Sequence, residues 1–184
     1  EAFDFSDVDS LGEVTENNAY MDIHIDEVLN LPLVDADAVA KRKFKVVVDG
    51  VNSSGGIIIP KLLEQMGVEV VELYCTPNGH FPHNPEPLKE HLGDICKLVL
   101  EEKADFGIVV DPDVDRLAFI SNDGEMFGEE YTLVACADYV LSKTPGNTVS
   151  NMSSSRALRD ITEKHGAKYQ ASAVGEVNVV TLMK

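Results

Sequence analysis

Three aspartates at alternate positions carry the chemistry that stands out in this sequence. Asp111-Pro112-Asp113-Val114-Asp115-Arg116 follows directly on the apolar run DFGIVV. A continuous apolar run reads as a strand covered on both faces, so the carboxylates gather where a buried strand leaves its sheet. Open α/β sheets bind their ligands at that edge. Carboxylates this close repel one another unless a cation neutralises them, and a donor set made only of oxygens favours a hard ion such as Mg²⁺ over zinc or copper. The loop is not an EF-hand, which needs Gly at its sixth position and Glu at its twelfth. Arg116 and Asn122 stand there instead. The alternative is a solvated acidic turn, since Asp favours turns for local reasons.

Two other segments have chemical potential. Asp49-Gly50-Val51-Asn52-Ser53-Ser54-Gly55-Gly56 is glycine-rich and lies between a strand and a helix, where backbone N–H groups can receive an anion. It is no P-loop, because Ile57 follows Gly56 where a lysine is required. Tight turning and close helix packing are the expected use of its glycines. His80-Phe81-Pro82-His83-Asn84-Pro85-Glu86-Pro87 is a stiff loop whose two histidines are candidate ligands or bases. No Cys or paired His stands near them at ligand spacing, so a structural or surface role is expected. Ser153-Ser154-Ser155 reads as a helix N-cap rather than a nucleophile.

The elements that must position these residues alternate regularly. An acidic amphipathic helix is expected over 18–30, capped by Asn18 and presenting Tyr20, Ile23, Val28 and Leu29; a short helix over 34–42 follows. Then come strand 43–49, helix 56–66, strand 68–74, the proline loop 76–87, helix 88–102 and strand 105–111. This β-α-β-α-β order predicts an α/β domain of three layers, α/β/α, with right-handed crossovers. Strand 117–123 completes a mixed sheet, with Asp123-Gly124 as a hairpin-type turn. Helix 129–143, strand 147–152, helix 154–165 and strand 168–173 begin a second α/β unit. The expected organisation is an acidic helical lead-in over 1–39, a metal-binding α/β domain over 40–128 and a partial α/β domain over 129–184.

Composition narrows the function classes. In 184 residues, 32 Asp and Glu against 15 Lys and Arg give a net charge of −17. Eleven of those acids fall in residues 1–37, before the first basic residue, Lys41. Such a charge repels nucleic acid and anionic bilayers, so neither is an expected partner. No stretch approaches the roughly 18 apolar residues of a membrane helix. Cys75, Cys96 and Cys136 are odd in number and lack Cys-x-x-Cys spacing, which predicts neither disulfides nor a zinc site and fits a reducing cytoplasm. The chain starts at Glu1 with no leader-like pattern, as a cut-out from a longer protein would.

DGVNSSGG at 49–56, GHFPHNPEP at 79–87 and DFGIVVDPDVDRLAFISNDGE at 105–125, in this order, resemble the α-D-phosphohexomutases. These are the phosphoglucomutases, phosphomannomutases and phosphoglucosamine mutases. The resemblance implies the second of four domains plus the start of the third. It implies Asp111, Asp113 and Asp115 as Mg²⁺ ligands and Arg116 as the adjoining active-site arginine. The family's metal loop usually reads Asp-Gly-Asp-Gly-Asp-Arg, so Pro112 and Val114 replace glycines, and the β-branched Val114 resists positive φ. The family's phosphoserine sits in a Ser-His-Asn-Pro context, whereas His83-Asn84-Pro85 here follows Pro82. The chain therefore resembles an excised piece, inactive alone, that handles a hexose phosphate only together with other domains. Val174–Val179 falls where the third domain faces the sugar phosphate, which makes Asn178 a candidate substrate contact; Val177 replaces the usual basic residue. The VGEVNV form leans towards phosphoglucosamine mutase. Two rivals stand beside this reading. One is a haloacid-dehalogenase-like phosphatase, for which Asp115 occupies a Thr or Val position; the other is a non-catalytic metal-binding module. The oligomeric state stays open.

Overall fold

The apolar runs become strands because both of their faces are covered. The computed structural model describes residues 3–184. In it β1 (Lys45–Asp49), β2 (Glu69–Leu73), β3 (Phe106–Val110) and β4 (Leu117–Ser121) form a sheet in the order β2-β1-β3-β4. β1 pairs parallel with β2 and β3, and β3 pairs antiparallel with β4, which makes the sheet mixed. α3 (Gly55–Gln65) connects β1 to β2, and α4 (Gly93–Glu102) connects β2 to β3.

Alternation along the strands sends successive side chains to opposite faces. Val47, Val109, Ala118 and Ile120 pack with Leu92, Ile95 and Val99 on the α4 side. Val46, Val48, Ile108 and Val110 pack with Leu63 of α3 and with Val68 on the other. This is the three-layer α/β/α arrangement that the sequence predicts. At about 1.5–3 kcal/mol for each large apolar side chain removed from water, these two layers fix β1 and β3 as the rigid centre of the sheet.

The helices leading into the sheet differ in detail from expectation. α1 (Tyr20–Leu29) is followed by α2 (Ala36–Arg42). Ile25 is the buried residue of α1, flanked by half-buried Met21, Val28 and Leu29, while Tyr20 and Ile23 are exposed. The inward stripe is therefore 21, 25, 28 and 29, the i, i+4, i+7, i+8 pattern of a surface helix. Asn18 is not the cap; the Ala19 N–H donates to Asn17 Oδ1 at 2.9 Å. An ion pair between Lys61 and Asp22 ties α3 to α1.

Residues beyond β4 build a second, smaller sheet. α5 (Glu129–Lys143) and α6 (Ala157–Lys164) pack together, β5 (Thr148–Asn151) pairs parallel with β6 (Tyr169–Ser172), and α7 (Glu176–Met183) lies against both strands. Buried Thr162 is satisfied by Thr148 Oγ1 at 2.6 Å and by donation to the Leu158 carbonyl at 2.7 Å. The N-cap position of α6 is Arg156, and Ser155 Oγ accepts only a longer bond from the Ala157 N–H at 3.3 Å. Among the described residues no helix is long and apolar enough to cross a membrane.

The glycines after β1 serve close approach. A Cβ on Gly56 would lie 2.6 Å from Cys75 Cα, and one on Gly50 would lie 2.4 Å from the Gly56 nitrogen. Gly93, at the start of α4, has open space around it. Gly56→Ala is therefore expected to destabilise the protein by about 1–3 kcal/mol, because backbone cannot give way. Gly93→Ala is expected to stabilise it by up to about 1 kcal/mol. Urea denaturation of the two variants checks this, and a Gly56→Ala protein as stable as its parent contradicts the close approach.

Candidate metal centre

The site begins at the carboxyl ends of β1 and β3, which are neighbours in the sheet and each lead into an aspartate. Asp111 is buried at 7% exposure, whereas Asp113 and Asp115 are exposed. One carboxylate oxygen from each lies within 4.8 Å of the others. Oxygens bound to one Mg²⁺ are at most about 4.2 Å apart, and those on one Ca²⁺ reach about 5 Å, so the triad needs little or no closure to hold a hard cation. All three donors are carboxylates, and the chemistry fits Mg²⁺, Mn²⁺ or Ca²⁺ rather than a soft metal.

The loop's shape is fixed from three sides. Asp111 Oδ1 accepts the Arg116 N–H at 3.0 Å, which leaves its Oδ2 available. Ser53 and Ser54 both donate through Oγ to the Pro112 carbonyl, at 2.8 and 2.9 Å. Val114 takes the left-handed conformation, φ 62°, that a glycine would adopt freely. Its resistance to positive φ is real but is overcome, and its side chain packs against the Val110 and Leu63 layer.

Charge in the loop is unbalanced. Asp115 holds its proton above the ordinary carboxylate range, first because of the Asp113 charge and then through a hydrogen bond with Asp111. Arg116 opposes this shift only weakly, since its Nε is 3.9 Å from Asp115 and 4.0 Å from Asp111. Its Nη1 instead donates to Glu86 Oε1 at 2.6 Å. Asn84, Pro85, Glu86, Asp111, Pro112 and Arg116 line a cleft of about 360 Å³ beside the triad.

The proline loop that carries Glu86 is anchored by His83. Its Nδ1 lies 2.7 Å from the Asn84 carbonyl, which can only accept, so Nδ1 bears a proton. Its Nε2 lies 3.0 Å from Oδ2 of Asp49, which is 1% exposed, and a proton bridges that pair. Burial raises the Asp49 carboxyl above its ordinary pKa, against the lowering effects of the Val51 N–H and the imidazole. Tyr74 packs edge-on against the His83 ring at 5.9 Å and donates to Asp94 at 2.7 Å. Burial pushes the thiol of Cys75 beside it up to about 11, which disfavours the thiolate.

The structure thus brings Asp111, Asp113, Asp115 and Arg116 together. Asn178 lies in the first turn of α7, where its Nδ2 donates to the Val174 carbonyl at 2.9 Å. Of the two proline-loop histidines, His83 is paired with buried Asp49 and His80 is exposed. No spacing in the sequence points to the His83–Asp49 pair, to the Glu86–Arg116 contact or to the two serines on Pro112. Asp49 gave one signal, since it ends a buried strand just as Asp111 follows one.

Fold and site define an α/β module that presents a loop of three clustered carboxylates and an arginine at the carboxyl edge of its sheet. The family model for phosphoglucomutase/phosphomannomutase, alpha/beta/alpha domain II, matches residues 22–124, and that for domain III matches 128–184. The chain belongs to the phosphoglucomutase/phosphomannomutase family. It is 31% identical to a probable phosphoglucosamine mutase of Methanopyrus kandleri over 96% of its length, covering 38% of that protein. It is 38% identical to a phosphoglucomutase/phosphomannomutase of Thermococcus kodakarensis over 79% of its length, covering 32% of that protein. A phosphoglucomutase/phosphomannomutase family protein of Burkholderia thailandensis superposes with TM-score 0.69 at 28% identity, over 80% of this chain and 35% of that one. The chain spans about a third of the length of the curated relatives it matches.

Repulsion inside the loop has a measurable sign. A carboxyl whose folded pKa is raised stabilises the fold below its unfolded pKa, and that contribution is lost as pH rises through the folded value. Asp113→Asn removes the largest repulsion acting on Asp115. With chelator present, the variant's stability relative to the parent is expected to rise between about pH 3 and about pH 6. Urea midpoints across that range check it, and a difference that stays flat or falls contradicts the repulsion.

Proposed function

We propose that this chain supplies the cation-binding part of a phosphohexomutase, an enzyme that interconverts hexose 1- and 6-phosphates through a phosphoserine and a bisphosphate intermediate. The observation that carries the reading is the convergence of Asp111, Asp113 and Asp115 beside Arg116 at one sheet edge, in a chain of this family. The three aspartates would hold Mg²⁺, which when bound supplies positive charge to phosphoryl oxygens. Arg116 presents fixed donors to the same oxygens, and phosphoryl transfer depends mainly on such positioning and charge stabilisation. The cleft beside it is open to an incoming phosphate group.

Asn178 is proposed as a sugar contact. One of its two amide N–H groups is engaged with Val174, so the second N–H and the Oδ1 acceptor are the groups it offers to a hydroxyl. Glucosamine phosphate is favoured as the hexose by one observation: the relative matched over 96% of this chain is named a probable phosphoglucosamine mutase. No Ser-His-Asn-Pro segment occurs in these 184 residues, and on this reading they do not turn over hexose phosphates unaided.

Calorimetric titration with Mn²⁺ and Mg²⁺ tests the proposal. Mg²⁺ usually relies on substrate phosphate as well as carboxylates, so an apparent Kd of about 0.1–1 mM is expected. At ten to a hundred times that concentration the metal is expected to stabilise the fold by about 1–3 kcal/mol. Asp113→Asn should lose most of this stabilisation while folding normally. Unchanged affinity in the variant, or interconversion of 1- and 6-phosphates by the chain alone, overturns the reading.

A further inference from the structure

Arg116 has two sets of carboxylates within reach and is bound to the remoter one in sequence. Its Nη1 is 2.6 Å from Glu86 Oε1, while its Nε stands 4.0 Å from Asp111 and 3.9 Å from Asp115. The aspartates belong to its own loop and jointly carry more negative charge than Glu86 does. An unrestrained guanidinium would settle on them and occupy the oxygens a cation needs.

The backbone that carries Glu86 is restrained. Pro82, Pro85 and Pro87 restrict its loop, and the Glu86 N–H donates to Asn84 Oδ1 at 3.1 Å. His83 fastens the same loop to buried Asp49. Asn52 adds its Nδ2 to the His80 carbonyl at 3.0 Å and accepts the Gly79 N–H on its own carbonyl at 3.0 Å. The backbone at Glu86 is therefore held by the sheet and its β1 loop, and Arg116 reaches it through a long side chain.

We propose that Glu86 is a positioning residue for Arg116: it draws the guanidinium to the rim of the cleft, beside the aspartate triad rather than onto it. Asp111 Oδ2 and the exposed carboxylates stay available to a cation, and Arg116 remains next to the place where an oxyanion on that cation would lie. The inference rests on the cation-site reading above and gives it a specific consequence. Removing the acidic Glu86 weakens cation binding through Arg116, beyond the loss of one nearby negative charge.

A double-mutant cycle separates these two effects. Mn²⁺ affinity is measured for the parent chain, Glu86→Gln, Arg116→Gln and the double variant, with thermal melts confirming that each is folded. Glu86→Gln is expected to weaken Mn²⁺ binding about three- to fivefold in the parent and by less than about 1.5-fold in the Arg116→Gln background. Equal weakening in both backgrounds overturns the proposal, since the effect is then only the lost field of one charge. The second measurement is the NMR spectrum of the metal-free chain. Slowed rotation about the Arg116 Cζ–Nε bond, seen as separate Nη resonances, is expected in the parent and lost in Glu86→Gln. If the parent shows this signature but binds no Mn²⁺, the tether stands and the cation-site reading falls. If the signature is absent from the parent, the tether falls whatever the metal affinity.

Discussion

Like charges crowded at the end of a buried strand set the terms for the rest of this molecule. Asp111, Asp113 and Asp115 repel one another, and folding alone gives them no reason to converge. They converge because β3 is sealed on both faces by the α3 and α4 layers, so its end cannot shift to relieve the strain. The loop behind it is fastened through the Pro112 carbonyl, which takes both serine hydroxyls of the β1 loop. The sheet thus acts as a rigid base against which an unfavourable charge cluster is maintained, and a bound cation is what would turn that cost into a gain.

The backbone around the cluster shows the same tension. Val51, Asn52, Tyr74 and Val114 all have positive φ, and they lie in the loops that follow β1, β2 and β3. Apart from Asn52, none is a residue type that adopts this conformation readily, and each costs on the order of 1–2 kcal/mol. Cross-loop bonds hold them there: the Asn52 N–H reaches the Tyr74 carbonyl at 2.6 Å, and Thr76 donates to the Asn52 side chain at 3.3 Å. Strain of this kind persists where surrounding structure over-determines a loop, and it collects at sites with a task.

Much of this was legible in the letters, for reasons that are local. Val46-Val47-Val48 and the run ending at Val110 announce two-faced burial without any partner being known, and the Gly55-Gly56 pair announces a backbone approach. The aspartate triad is legible because its members are two residues apart. What stayed hidden is what depends on distance along the chain. Asp49 and His83 are 34 residues apart, and Arg116 and Glu86 are 30 apart. No spacing rule links such pairs, because only the folded sheet brings the proline loop over the ends of β1 and β3. The α1 stripe differs from expectation for another reason: Tyr20 and Ile23 are apolar enough to enter a pattern, but Met21 and Ile25 share the inward face with Val28 and Leu29. Val114 is by residue type a poor fit to positive φ, yet it adopts that conformation and packs against the Val110 layer.

On the proposed reading a divalent cation binds at the triad, not at acidic segments in general. The chain offers a strong competitor in its first 37 residues, which carry eleven carboxylates and no Lys or Arg. Paramagnetic broadening of backbone amide signals by sub-stoichiometric Mn²⁺ distinguishes the two. Broadening is expected to begin at residues 111–116 and to spread to the neighbouring 50–54 and 84–87 loops, while residues 4–16 are unaffected until Mn²⁺ is in excess. Broadening that starts in residues 4–16, or that appears evenly over all acidic segments, contradicts it.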